Sequence, residues 1–131
     1  MSGFVLHPEA LAELEEIWEF IAADNTQAAD RVLDEIRKAM HSLATFPRMG
    51  HIRADLTSRP LRFLPVRSFL IAYAPDETPL VVLAVLHGRR NPRVIAALLR
   101  GRESSNTQLL DSGVTGLEEA ITVRTFPSTG S

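Results

Sequence analysis

Residues 81–90, VVLAVLHGRR, bring six apolar side chains to an abrupt polar end at His87, Gly88, Arg89 and Arg90. An imidazole titrates near neutrality and can pass a proton. A guanidinium stays charged and holds an anion rather than moving a proton. Two further arginines, Arg62 and Arg67, flank Pro65 upstream. Together these five residues suit binding of a phosphate-rich or carboxylate-rich partner. They also suit stabilisation of charge developing on a phosphate, with His87 as the proton-transfer group. Structural roles compete: His87 could fix its turn by bonding a loop carbonyl, Arg89 and Arg90 could pair with glutamates of the first helix, and Arg62 and Arg67 could keep a sheet edge from pairing elsewhere.

Other chemistries find no residues. The chain has no cysteine, hence no disulfide, thiol nucleophile or thiolate metal site. His7, His41, His51 and His87 lack metal-ligand spacing. Neither a phosphate-cradling glycine loop nor a Gly-x-Ser-x-Gly elbow occurs. Aromatic residues make up 6% of the chain, without the alternation of a single-strand RNA platform. No metal and no cofactor are expected.

Charge is unevenly spread. Residues 1–35 carry nine acidic side chains against Arg31 alone, whereas residues 36–100 carry eleven Lys/Arg against Asp55, Asp76 and Glu77. The basic part is also the part that holds the strands, which suits an acidic partner or polyanion. With 131 residues and 45% apolar content, the chain fits one domain. No apolar run approaches the ~20 residues that span a bilayer. Met1-Ser2-Gly3-Phe4 has no basic flank or apolar core, so the expected address is the cytoplasm.

The elements that must position these residues follow from periodicity. A short strand at Phe4–Leu6 precedes Pro8, a first-turn proline. Leu11, Leu14, Ile17, Trp18 and Ile21 recur at helical spacing, with Glu9, Glu13, Glu16 and Glu19 mostly on an acidic outer face. Asp24-Asn25-Thr26 turns the chain and caps a second helix, whose apolar face holds Ala29, Val32, Leu33, Ile36, Met40 and Leu43. The two helices should form an antiparallel hairpin. Strands are expected over 61–66, 68–74 and 80–86, the first an edge strand or bulged at Pro65. Asn91 and Pro92 open a last helix over 92–100. The strands are apolar on both faces, so both faces must be covered. The hairpin covers one and the last helix only part of the other, which predicts a partner chain on the remainder. The fold class is α+β, with a domain over 1–101 and an extension over 102–131 expected to be mostly flexible and to order against a partner.

Six segments in this order carry a family resemblance: residues 10–22 (ALAELEEIWEFIA), 28–36 (AADRVLDEI), 43–50 (LATFPRMG), 53–56 (RADL), Leu61-Arg62 with Leu70-Ile71-Ala72-Tyr73, and 85–90 (VLHGRR). Over residues 4–99 the chain resembles the RelE/ParE superfamily of toxins from bacterial type II toxin–antitoxin pairs. The resemblance implies an intracellular toxin silenced by a cognate antitoxin. The antitoxin's C-terminal segment would wrap across the sheet and helices, touching Phe69, Ile71, Tyr73, Val82 and Ala84. The apolar sheet face left uncovered predicts in addition that the free protein is poorly soluble or dimeric and is stabilised by the antitoxin.

The superfamily has two branches. RelE-like members cleave messenger RNA on the ribosome, and ParE-like members poison DNA gyrase. RelE-like ribonucleases place lysines after the helical hairpin and a tyrosine or histidine near the last strand. In this chain the only lysine is Lys38, inside a helix, while the loop has Arg48, His51 and Arg53 and Tyr73 lies within a strand. The expected activity is therefore ParE-like, a gyrase inhibitor that performs no covalent chemistry, with Arg62, Arg67, His87, Arg89 and Arg90 contacting the target. The alternatives are a ribosome-dependent, metal-independent endoribonuclease using Arg67, which sits where that branch often binds phosphate, with His87, Arg89 and Arg90, or an inactive antitoxin-binding relative.

Overall fold

The computed structural model describes residues 3–102. Seven elements follow one another: β1 (Phe4–Leu6), α1 (Pro8–Ala22), α2 (Thr26–Thr45), β2 (Arg62–Val66), β3 (Phe69–Ala74), β4 (Leu80–His87) and α3 (Pro92–Gly101). This is the expected α+β arrangement. The Asn25 side chain accepts the Ala28 amide at 3.0 Å to start α2, and Asn91 accepts that of Arg93 at 2.8 Å to start α3, each satisfying an orphan donor of a first turn. At α1 the cap is His7, whose Nδ1 accepts the Glu9 amide at 3.1 Å. Its type gave no cue, since imidazole is an uncommon cap.

The sheet order is β1-β4-β3-β2, with β1 parallel to β4 and the other pairs antiparallel. Pro65 lies on the edge strand β2, as its missing N–H requires. The irregularity falls elsewhere: Ala72 pairs with Ala84 but Tyr73 pairs with Val82, leaving Leu83 of β4 as an extra residue. This bulge puts Leu83 and Ala84 together on one side of the sheet, while Val82 and Val85 face the other.

Two cores sandwich the sheet. Leu11, Leu14, Leu33, Ile36, Met40 and Leu43 of the helical hairpin pack on Phe4, Leu6, Ile71, Tyr73, Val82 and Val85. On the opposite face, Leu56 and Leu61 from the α2–β2 connection join Ile95 and Leu99 of α3 over Val5, Leu70, Ala72, Leu83 and Ala84. The second core corrects the expectation of an uncovered face. The connection contributes two buried leucines, Leu56, which no helix or strand periodicity marked, and Leu61, expected as the first residue of the strand that begins at Arg62, and a partner chain is not needed to shield the strands.

The stretch assigned to an extension begins inside the domain. Arg102 is 6% exposed and bonded to the core. The remainder of that stretch, 103–131, lies outside the described residues.

Candidate functional site

Strand β4 delivers its polar end to the surface with a defined turn. His87 pairs with Phe69, the Gly88 amide donates to the Ser68 carbonyl at 2.8 Å, and the Arg90 amide donates to the His87 carbonyl at 3.2 Å. The exposed His87 ring leans on Phe69, with centroids 4.8 Å apart. Gly88 does not use its conformational freedom, since its φ is not left-handed and an added Cβ would meet only the Ser68 carbonyl at 3.4 Å. Arg89 and Arg90 project from this turn exposed, and neither pairs with an acidic residue among those described.

The other two candidate arginines are committed internally. Arg67 occupies the tight β2–β3 turn with a left-handed φ of 55°. Its guanidinium forks onto Glu35 of α2 at 2.7 and 3.0 Å, and this hydrogen bonding holds the Glu35 carboxyl below the usual carboxylate range. Register places Arg67 at the same end of the sheet as His87, because Val66, Phe69 and His87 are level across the strands. Arg62 lies at the opposite end, level with Tyr73 and Val82. It donates to the Gly50 carbonyl at 2.8 Å, which makes it a pin for the α2–β2 connection. The structure therefore gathers Arg67, His87, Arg89 and Arg90 and separates Arg62 from them.

Tyr73 belongs to the same pin. Its hydroxyl accepts the Gly50 amide at 2.8 Å and donates to the Pro47 carbonyl at 2.7 Å. Burial pushes its pKa up, and both hydrogen-bonding directions are occupied, so it has no free capacity for proton transfer. The lone lysine, Lys38, pairs with Asp34 on α2 at 3.1 Å. Of the residues expected to meet a partner, Ile71, Tyr73, Val82 and Ala84 are core, with at most 1% of their surface exposed. Phe69 alone of that set reaches a surface feature.

That feature is a groove of about 470 Å³ between α1 and the end of β4. Ile17, Phe20 and Ile21 form one wall, Phe69, Val85 and Leu86 the other, and Glu13, Glu16, His87 and Arg90 the rim. Phe20 is 82% exposed, an apolar ring held in water beside an apolar trough. Exposed apolar side chains gathered this way mark interaction sites.

A buried ion cluster closes one end of the groove. Beyond Val82 the chain of β1 has turned into α1, so β4 loses its neighbour on that side. Side chains take the neighbour's place: Glu13 accepts the Val85 amide at 2.9 Å, and Arg102 donates to the Leu83 carbonyl at 2.7 Å. The two side chains also pair with each other at 2.7 Å, and Glu9 adds a 3.4 Å contact. Sequence periodicity assigned Glu13 to a solvated outer face and Arg102 to the extension. The available signal was only that Glu13 follows Ala10 by one helical turn, and Ala10 is a core position.

Among the described residues no group of three His, Asp or Glu side chains is placed to hold a metal ion, and no helix is long and apolar enough to cross a membrane. Among the described residues the arrangement offers two guanidiniums without an acidic partner, one imidazole and an apolar trough, which together suit recognition.

Residues 4–92 match the family described as the ParE toxin of the type II toxin–antitoxin system parDE. The protein Toxin ParE3 of Caulobacter vibrioides is 32% identical over 81 residues, covering 60% of this chain and 79% of that relative.

Proposed function

Because the chain belongs to the ParE toxin family of type II toxin–antitoxin systems, we propose that it acts by binding and inhibiting DNA gyrase, with His87, Arg89 and Arg90 as contacts, and that its cognate antitoxin neutralises it from the α1–β4 groove. One observation carries the choice of a binding mechanism. Among the described residues Arg89 and Arg90 have no acidic partner at the β4 exit, while the tyrosine and lysine that a metal-free ribonuclease could use beside His87 for acid–base work are engaged elsewhere: Tyr73 is a buried pin and Lys38 lies on α2. Arg67 is clamped to Glu35 across the β2–β3 turn, so meeting a phosphate would require it to leave that pair.

An antitoxin segment suited to this surface is amphipathic and acidic. Its apolar side chains would cover Phe20 and Ile17, and its carboxylates would face Arg89 and Arg90. Such binding removes from water the same cations proposed to meet gyrase, which gives neutralisation by occlusion.

Gyrase supercoiling and DNA-cleavage assays test this reading, run with purified toxin alone and with the candidate antitoxin added. Inhibition or trapped DNA breaks that Arg89→Ala and Arg90→Ala weaken, and that the antitoxin reverses, are expected. Folded protein that leaves gyrase untouched but cleaves messenger RNA on ribosomes would replace the reading with the endoribonuclease one. In that case His87→Ala should abolish cleavage and spare antitoxin binding.

A further inference from the structure

We propose that the outer face of α3 and the β4 exit form one contact surface for duplex DNA, on which Arg89, Arg90, Arg93 and Arg100 hold backbone phosphates without reading base sequence. Residues 88–102 carry five arginines and no acidic side chain. Arg102 is spent inside the domain, on Glu13 and the Leu83 carbonyl. The other four are exposed, and among the described residues none of them has an acidic partner.

Helical geometry lines these cations up. Arg93, Ala97 and Arg100 share one stripe of α3, opposite Ile95 and Leu99, which are buried in the second core. Arg93 and Arg100 are about 10 Å apart along the helix axis. The residue between them on the stripe is a small one, so a ligand backbone can approach closely. Arg89 and Arg90 directly precede the cap Asn91 and continue the row past the start of the helix. Neither Arg93 nor Arg100 lines the α1–β4 groove, so the row extends well away from that trough.

Chemistry selects the duplex among acidic partners. All four cations are guanidiniums, whose planar fork matches two phosphate oxygens at once. No aromatic side chain occurs in residues 88–102. The surface therefore has no platform for the unpaired bases of a single strand and no aromatic anchor of the kind that centres a protein interface. B-form DNA has a major groove about 12 Å wide that admits a helix, whereas that of A-form RNA is too deep and narrow. The acid sits on the far side of the sheet: α1 carries five glutamates and no Lys or Arg, and packs on the face opposite α3. Such a charge distribution turns α3 toward a polyanion and α1 away from it.

The DNA contact does not depend on what the toxin inhibits. Its consequence does rest on the proposed function: gyrase acts on duplex DNA, so a toxin that touches both would hold enzyme and DNA together, with Arg93 and Arg100 adding to the contacts of Arg89 and Arg90.

Fluorescence anisotropy of a short labelled DNA duplex, titrated with the full chain at increasing potassium chloride concentrations, tests the contact directly. Four phosphate contacts should make the logarithm of the binding constant fall against the logarithm of salt with a slope of about −3.6. Arg93→Ala and Arg100→Ala should each make that slope shallower by about one and weaken binding equally on two duplexes of unrelated sequence. Both positions are exposed, so both variants should keep the parent's melting temperature. Lys38→Ala, on the helical hairpin, should leave the slope unchanged. Folded protein that does not bind the duplex at low salt would overturn the proposal, and so would a slope indifferent to Arg93 and Arg100. Tighter binding to a single strand or to duplex RNA would also overturn it, and labelled poly-glutamate bound as tightly as the duplex would assign the surface to an acidic protein instead. No readout uses gyrase or antitoxin, so a failure here is separable from a failure of the proposed function.

Discussion

At Gly50 the backbone passes so close to its neighbours that a Cβ would lie 2.7 Å from the Tyr73 hydroxyl and 2.8 Å from the Phe63 carbonyl. Gly50→Ala should therefore cost about 1–3 kcal/mol by overpacking, whereas Gly88→Ala should stay within about 0.5 kcal/mol; urea unfolding of the two variants checks the contrast. Tyr73→Phe strands the buried Gly50 amide and the partly buried Pro47 carbonyl, at about 1–3 kcal/mol. His7 sets a pH dependence. Its Nδ1 must stay unprotonated to cap α1, and its Nε2 is buried without a described hydrogen-bond partner. Burial first, and the Arg102 charge second, lower its pKa, against a smaller opposing effect of Glu9. The unfolded chain thus binds this proton more readily than the folded one. The contribution of neutral His7 is complete above its ordinary value of about 6.5 and declines as pH falls below it. Melting temperature should drop between about pH 7 and pH 5.5 in the parent and less in His7→Asn, which keeps a cap; parallel curves would refute the assignment.

Strand β4 shows how an element can be completed by side chains. Its last residues have β3 on one side and, among the described residues, the side chains of Glu13 and Arg102 on the other. Removing one member of a buried ion pair leaves the other uncompensated and costs about 3–5 kcal/mol. Glu13→Ala or Arg102→Ala should lower stability on that scale in denaturant titrations, while the double change should cost less than the sum of the single changes. Glu9→Ala, with its side chain 67% exposed, should have a small effect. Helix α2 needs less support, because Asn25 caps it and its apolar face is continuous. Asn25→Ala should cost about 1 kcal/mol.

For the whole molecule, the covered sheet changes what a partner is for. With both faces buried by the chain itself, a partner adds to an already formed domain, and the α1–β4 groove offers it an apolar surface. Added at a hundred times its dissociation constant, an antitoxin seated there stabilises the fold by about 2.7 kcal/mol through mass action. Thermal melting should register that gain in the parent and lose most of it in Phe20→Asp, whose own melting point should barely change because residue 20 is exposed. A gain unaffected by Phe20→Asp would place the antitoxin elsewhere.

The sequence by itself determined the element order, the helix cap Asn91, a second cap within Asp24-Asn25-Thr26, an edge or a bulge at Pro65 and the polar exit of β4, because each follows from local periodicity or from one residue's backbone chemistry. Tertiary structure alone decided that Arg62 and Arg67 are spent on Gly50 and Glu35, that Leu56 and Leu61 close the second core, and that Glu13 and Arg102, 89 residues apart, complete a strand edge. Those assignments depend on which charged groups meet after the chain has folded. A helical repeat states which face a glutamate occupies, but only packing states whether that face meets water or an unpaired strand.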